Sequence, residues 1–188
     1  ELVLRGIFMI RQEEIDWFYE LGGASFLFPE AFAAYQAPIP AAQHGAMVAA
    51  YHRILTGPPS AAQDAAARAW TLWEARTLSL LPNPAREEAW DDGHYALAFA
   101  RIENHYFQHK GFFVKDGWLL AQAHKLHAIP GTIIHGRYDA CTPVRNAVDL
   151  AAHWPQATLV IVPDAGHTGT EPGIADAMVR ATDLYSGL

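Results

Sequence analysis

The chain has 188 residues, of which 51% are hydrophobic, and its formal net charge at pH 7 is −7. This length and hydrophobic content suit one globular domain, or one domain with a large insertion. The 13 Lys and Arg residues are scattered, so the chain lacks the basic surface that nucleic acids and anionic membranes require, and we expect neither as a partner. A single cysteine and the lack of a long apolar run make the cytoplasm the expected location.

The first eight residues, ELVLRGIF, are rich in Val, Leu, Ile and Phe and predict a buried strand. Helical patterns follow over residues 12–21, 29 onward, 41–56, 60–81 and, capped by Asp91 or Asp92, 94–110. Ser60 and Gln63 form an S-x-x-Q capping box, and the segment LPNPAREEAWDDG is predicted to be a loop. Because the chain opens inside a strand, we expect a preceding segment to be missing.

After residue 114 the pattern changes to strands that alternate with helices. The helix WLLAQAHKLHA is followed by the strand TIIHGRY, the helix VRNAVDLAAHW, the strand ATLVIVPDAGH and the helix GIADAMVRATDLY. Strands this rich in Val, Ile and Leu indicate a parallel sheet covered on both faces. The sequence therefore predicts an α/β fold with a core strand at 1–10, an all-helical insertion at 11–113 and a second part of the core at 114–188.

Asp139 and His167 each follow one of the last two predicted strands, in the segments HGRYDACTP and PDAGHT. The carboxyl ends of parallel strands meet at one edge of a sheet, where α/β proteins gather their catalytic groups. An aspartate that accepts the Nδ1–H of a histidine fixes the tautomer of the ring, so the two residues look like members of a Ser-His-Asp relay. The alternative is that Asp139 caps the following helix and His167 is a loop residue.

The nucleophile of such a relay is absent from the chain. In α/β hydrolases it stands in a G-x-S-x-G turn, whereas the four serines here stand in GASFL, PPSAA, TLSLL and YSGL. Cys141 would lie on the same loop as the acid, so we interpret it as a small buried thiol.

Several segments resemble the proline iminopeptidases, or prolyl aminopeptidases, which are serine exopeptidases with the α/β-hydrolase fold. The resemblance rests on LVLRGIF, YALAFARIENHYF, IPGTIIHGRYDACTP, AHWPQATLVIVPDAGHTGTEP and MVRATDLY, and it covers nearly the whole chain. It implies that 11–113 form a helical cap domain and that Asp139 and His167 are the catalytic acid and base. It also implies that the serine lies in a missing N-terminal half, and it implies no cofactor.

Two glutamates of the predicted cap stand among aromatic residues at helical spacing. The neighbours of Glu74 are Trp70 and Trp73, and those of Glu103 are Phe99, Tyr106 and Phe107. A carboxylate among aromatic rings is costly to bury unless a cation meets it. The alternative is that each glutamate reaches solvent or an arginine such as Arg76 or Arg101.

The family resemblance favours the first interpretation. It implies that Glu74 and Glu103 bind the free amino group of the substrate and that Phe8 contacts the proline ring. Phe18, in DWFYE, stands at a cap position where tyrosine is commoner in the family, so no hydroxyl contact is expected there.

Histidine pairs at helical spacing, such as His105 and His109, invite a metal interpretation, but a third ligand and an H-E-x-x-H motif are missing, and no metal site is predicted. The primary hypothesis is a fragment of a serine aminopeptidase that releases N-terminal proline from peptides and is inactive alone. Its expected partners are such a peptide and either the missing half or a second copy paired at the exposed strand edge. The alternatives are a non-catalytic binding module derived from an α/β hydrolase and a related amide or ester hydrolase.

Overall fold

A computed structural model describes residues 1–187. The strands are β1 (Leu2–Arg5), β2 (Gly131–Gly136) and β3 (Ala157–Val162). The helices are α1 (Gln12–Tyr19), α2 (Pro29–Gln36), α3 (Met47–Leu55), α4 (Ala61–Thr77), α5 (Pro84–Trp90), α6 (Gly93–Gln108), α7 (Trp118–Ala121), α8 (Val144–Ala152) and α9 (Pro172–Ser186). Among these residues, no helix combines the length and hydrophobicity needed to cross a bilayer.

The elements group into two compact units. The sheet unit consists of Glu1–Met9, Leu78–Leu81 and the chain from Gly117 onward, and the helical unit consists of Ile10–Thr77 and Pro82–Asp116. The short segment Leu78–Leu81 therefore packs with the sheet although it directly follows α4. The domain limits inferred from the sequence, of which the last includes Leu188 outside the described residues, remain a prediction.

The sheet unit is built on three parallel strands in the order β1, β2, β3. In the register, Leu4 of β1 lies beside Ile133 of β2, which in turn lies beside Leu159 of β3. Parallel strands need crossover connections, and the one between β1 and β2 holds the whole helical unit. The predicted parallel α/β sheet with a long helical insertion is confirmed.

β2 is buried along its entire length, and its side chains alternate between two cores. Ile133 points into a cluster with Leu150 and Trp154, at and just after α8. Ile134 points to the opposite face, into a cluster that includes Ile174 of α9. Both faces of the strand are thus covered, which explains why its sequence is continuously apolar instead of alternating.

The helical unit is held together by stacked aromatic side chains between α1, α2, α3 and α4. The rings of Tyr35 and Tyr51 are 4.9 Å apart and nearly parallel, and those of Tyr19 and Trp70 are 4.5 Å apart. These four rings are almost completely buried. Each large aromatic side chain removes much apolar surface from water, so the burial of these rings stabilises the unit.

Two segments differ from the sequence expectation because local hydrogen bonds and backbone conformation determine where a helix begins. The segment interpreted as a loop contains α5, which starts with Pro84 at its first position. The Asn83 side chain accepts a 3.0 Å hydrogen bond from the Arg86 N–H and so caps this helix. The helix expected over 41–56 begins only at Met47, because Gly45 adopts a positive φ of 93° after a 3₁₀ turn at Ala41–Gln43.

The long helix after Ser60 ends at Thr77 and not near Leu81, and its capping box is only half formed. The Gln63 N–H donates to Ser60 Oγ over 3.2 Å as expected. The Gln63 amide group, however, donates to the carbonyl oxygens of Leu55 and Gly57, where it satisfies the end of α3. The helix predicted in WLLAQAHKLHA is also shorter, since only α7 and a 3₁₀ turn at Ala123–Leu126 form there.

Candidate active site

Asp139 and His167 are brought together in the sheet unit, beyond the carboxyl ends of β2 and β3. His167 Nδ1 lies 2.8 Å from Asp139 Oδ2. The aspartate side chain is fully buried, while the histidine side chain is 19% exposed. A ring that donates its Nδ1–H to a carboxylate keeps Nε2 available to accept a proton from another group. The pair therefore has the geometry of the acid and the base in a relay.

The carboxylate of Asp139 is held by the turn that follows it and does not cap α8. Its Oδ1 accepts from the Thr142 N–H over 2.8 Å and its Oδ2 accepts from Thr142 Oγ1 over 3.0 Å. Burial by itself would raise the pKa of Asp139, but hydrogen bonds from His135 and His167 outweigh it and hold this pKa well below its ordinary value. Asp139 is therefore ionised beside His167 at neutral pH.

The loops that carry the pair are joined through their backbones. The Arg137 N–H donates to the Val162 carbonyl over 2.8 Å and the Tyr138 N–H to the Ala165 carbonyl over 3.0 Å. A Cβ atom at Gly136 would lie 1.9 Å from the Gly166 carbonyl oxygen, so only glycine allows this approach. The close passage of the two loops is what sets the distance between acid and histidine.

The histidine loop is also anchored to the segment Leu78–Leu81, which the sequence analysis did not single out. The N–H groups of His167 and Thr168 both donate to the Leu78 carbonyl over 2.9 Å. The Glu171 carboxylate accepts from the N–H groups of Gly166 and Leu80, over 2.8 and 2.9 Å. No motif points to these contacts, because they join positions far apart in the sequence.

Glu74 of α4 and Glu103 of α6 form an acidic pair in the helical unit. Glu74 accepts a short hydrogen bond from the Tyr19 hydroxyl, and Glu103 accepts one of 2.8 Å from Trp70 Nε1. Burial and the negative charge of Glu103 raise the pKa of Glu74. Burial likewise raises the pKa of Glu103 to about 7, against hydrogen bonds from Trp70 and Tyr19 that lower it. The two carboxylates thus oppose each other's ionisation.

The arginines that the sequence offered as partners for these glutamates are engaged elsewhere. Arg76 pairs with Glu87 over 2.9 Å, and Arg101 donates to the Leu55 carbonyl over 2.7 Å. Within residues 1–187, neither Glu74 nor Glu103 forms an ion pair with a lysine or arginine. The acidic pair therefore has no lysine or arginine partner within the described chain.

Tyr19 supplies the hydroxyl contact that was not expected at Phe18. The Tyr19 ring stacks on Trp70 and lies 5.2 Å from Phe107, so it forms one wall around the acidic pair. Phe18 packs against Trp73 at 5.1 Å. Successive helical residues point about 100° apart, so the hydroxyl is presented from the next position along the helix.

Phe8 lies in the sheet unit, after the end of β1. With residues 3–9 and with Leu119, Leu126 and Leu150 it lines a groove of about 430 Å³. The contact between Phe8 and a proline ring remains a prediction.

Asp139, Cys141 and His167 form the group in the described chain whose potential metal-ligand atoms lie within 4.8 Å of one another. In this group His167 Nδ1 and Asp139 Oδ2 already share a 2.8 Å hydrogen bond.

Residues 116–185 match an α/β-hydrolase family described as TAP-like protein. The chain is 49% identical over 185 residues to a proline iminopeptidase of Xylella fastidiosa strain 9a5c, which covers 98% of this chain and 59% of that protein. It is 48% identical over 188 residues to the proline iminopeptidase of Arabidopsis thaliana, covering 100% of this chain and 49% of that protein.

For the proline iminopeptidase of Neisseria gonorrhoeae the identity is 38% over 182 residues, 97% of this chain and 57% of that protein. The chain therefore spans between 49% and 59% of the length of these three relatives. Over nearly all of its residues the chain is thus similar in sequence to part of these proline iminopeptidases, and its parallel sheet agrees with the match to an α/β-hydrolase family.

Proposed function

We propose that the protein to which these residues belong is a serine aminopeptidase that releases proline from the N-terminus of peptides. In this proposal His167 accepts the proton of a serine and returns it to the leaving amine, while Asp139 orients the ring and stabilises its cation. The proposal places this serine outside these 188 residues, because none of their four serines stands in a G-x-S-x-G turn. The names of the relatives and the 2.8 Å bond between His167 and Asp139 support this part.

The acidic pair is the observation that carries the substrate assignment. Two buried carboxylates without a cation are unfavourable, and a buried ion pair repays its desolvation only when its partner is present. A protonated N-terminal proline carries two N–H groups, so Glu74 and Glu103 can each accept one of them. The surrounding rings of Tyr19, Trp70 and Phe107 are suited to enclose a cation attached to a pyrrolidine ring. We therefore assign the substrate's ammonium group to this pair.

A non-catalytic binding module is the second candidate, and the lack of a G-x-S-x-G turn in the chain favours it. Such a module would use the same acidic pair to hold an amine but would perform no chemistry. Under either proposal the partner is a peptide with a free N-terminal proline. The single cysteine supports the proposed cytoplasmic location.

The decisive experiment compares substrates on the longer protein encoded by the reading frame that contains Glu1. Proline anilide should be hydrolysed, and N-acetylproline anilide, which cannot form an ammonium, should not. Hydrolysis of both at similar rates would point to a general amide or ester hydrolase. Hydrolysis of neither, with retained binding of prolinamide, would point to the binding module.

A further inference from the structure

A second histidine, His135 of β2, contacts the acid of the relay. Its side chain is completely buried, and it stands four residues before Asp139. His135 Nδ1 lies 3.2 Å from the backbone nitrogen of Ile7. His135 Nε2 lies 2.6 Å from the Thr142 carbonyl oxygen and 3.1 Å from Asp139 Oδ2. Both ring nitrogens therefore have hydrogen-bond partners, and for each partner it is known whether it donates or accepts.

These partners fix the protonation of the His135 ring. The Ile7 backbone nitrogen is a donor, so Nδ1 must accept and cannot carry a hydrogen. The Thr142 carbonyl is an acceptor, so Nε2 must carry one. A doubly protonated ring would set two N–H groups against each other in a site without water access, which costs the full penalty of a buried unpaired donor. The neutral tautomer with hydrogen on Nε2 is the one that satisfies every contact.

We propose that His135 is a positioning residue for the relay, a neutral Nε2–H imidazole that holds Asp139 Oδ2 and ties it to the segment after β1. The inference rests on the proposed function only in taking Asp139 as the acid of the relay. His135 and Asn146 together bind both backbone groups of Ile7, because Asn146 Nδ2 donates to the Ile7 carbonyl over 3.2 Å. The acid is thus located relative to two strands instead of one.

The contact also changes the bond between Asp139 and His167. Asp139 Oδ2 accepts from Thr142 Oγ1 and from His167 Nδ1, at 3.0 and 2.8 Å, and it also lies 3.1 Å from His135 Nε2, whose hydrogen it shares with the Thr142 carbonyl. Several donors on one oxygen share its negative charge, so each bond is weaker than it would be alone. His135 therefore directs the carboxylate and moderates its pull on the His167 Nδ1 hydrogen.

The first test reads the tautomer directly in the ¹⁵N-labelled protein, by long-range ¹H–¹⁵N correlation of the histidine rings at pH 7. We expect His135 to show a protonated Nε2 and an unprotonated Nδ1. A protonated Nδ1, alone or together with Nε2, would overturn the proposal. The measurement needs no substrate, so its outcome is independent of whether the protein is a prolyl aminopeptidase.

The second test follows the His167 Nδ1–H proton resonance in variants of His135 and in one variant of its neighbour Ile134. His135→Leu removes a donor from Asp139 Oδ2, so this resonance should move downfield. His135→Gln, which can place an amide N–H near the former Nε2, should bring it back towards the original position. Ile134→Val is the matched control, because it trims the adjacent buried residue and affects packing only.

An unchanged resonance in His135→Leu, or an equal shift in Ile134→Val, would show that His135 only fills space. If His135→Leu does not fold, the ring tautomer and the His135→Gln spectrum decide the question. A His135→Gln resonance displaced as far as that of a variant with no donor, such as His135→Phe, would likewise contradict the proposal.

Discussion

Glu103 lies beside a second buried carboxylate and accepts a 2.8 Å hydrogen bond from the neutral Trp70 N–H. In the longer protein, Glu103→Gln keeps the shape of the side chain but removes a charge-assisted hydrogen bond of about 1.5–3 kcal/mol. We expect kcat/KM for proline anilide to fall by about 10- to 100-fold. A neutral ester that uses the same serine should be affected much less, because it presents no cation.

The matched control for this prediction is Glu87→Gln, which removes a carboxylate that pairs with Arg76 in the same unit. It should leave the preference for free-amine substrates unchanged. Equal losses for the amine and the ester in Glu103→Gln, or no loss for either, would contradict the role of the acidic pair as an amine receptor.

The raised pKa of Glu103 predicts a particular dependence of stability on pH. Its folded-state value of about 7 exceeds the ordinary value of 4.5, so the folded protein binds this proton more tightly than the unfolded chain. The stability that this tighter proton binding contributes is fully present below the ordinary pKa of 4.5, and it is lost as the pH rises through about 7. The difference in unfolding free energy between the parent chain and Glu103→Gln, measured by urea unfolding from pH 4 to 8, should therefore shift in favour of the variant as the pH rises. A constant difference would contradict the raised pKa.

Among individual residues, the sequence predicted those whose position next to a predicted element indicates their role. Asp139 and His167 follow apolar strands, and the structure places them 2.8 Å apart. Tyr19 was missed because its partner Glu74 lies on another helix, and His135 was missed because the contact with the Ile7 backbone forms only on folding. The catalytic and binding roles of all these residues stay predictions until the variants are measured.

The loop that carries His167 depends on one side chain from the start of α9. Glu171, the residue before Pro172, accepts from the N–H groups of Gly166 and Leu80. Glu171→Ala leaves both N–H groups without this acceptor, and the two charge-assisted bonds contribute about 1.5–3 kcal/mol each. We expect hydrogen exchange at Gly166 and Leu80 to accelerate by at least about tenfold. Glu88→Ala, at an exposed position of α5, is the control and should leave both rates unchanged.

Unchanged slow exchange at both amides in Glu171→Ala would contradict this role of Glu171.

The sequence predicted the strand before this loop from its apolar run, and it predicted α4, α6, α8 and α9 from their length and pattern. It failed at α5, where seven residues are too few for a periodic signal and the Asn83 cap decides the outcome. Short elements depend on individual hydrogen bonds, which composition does not reveal.

At the scale of the whole molecule, the sheet has an edge that the described chain does not cover. Within residues 1–187, β1 pairs only with β2, and an uncovered strand edge invites pairing with another strand. We propose that an N-terminal segment of the longer protein, or a second copy, occupies this edge. The 188-residue chain expressed alone should then associate with increasing concentration in sedimentation velocity, whereas the longer protein should not. A stable monomer of the chain at all concentrations would contradict this proposal.

In the proposed mechanism the acidic pair binds the substrate and the relay performs the chemistry, and these two groups lie in different units, so their roles can be measured separately. The 188-residue chain contains Asp139 and His167 but no G-x-S-x-G turn, and a base without a nucleophile or oxyanion donors retains little activity. We therefore expect no hydrolysis of proline anilide above the blank.

The acidic pair lies entirely within the helical unit, so the same chain should still bind prolinamide, and Glu103→Gln should weaken that binding by about 10- to 100-fold. Calorimetric titration checks the binding, with N-acetylprolinamide as the ligand that should not bind, and adding the separately expressed upstream part should restore hydrolysis if the two parts associate. Turnover by the chain alone would require a nucleophile among its own residues and would overturn the proposed mechanism, whereas binding that ignores the acetyl group would remove the amine receptor and leave the relay untouched.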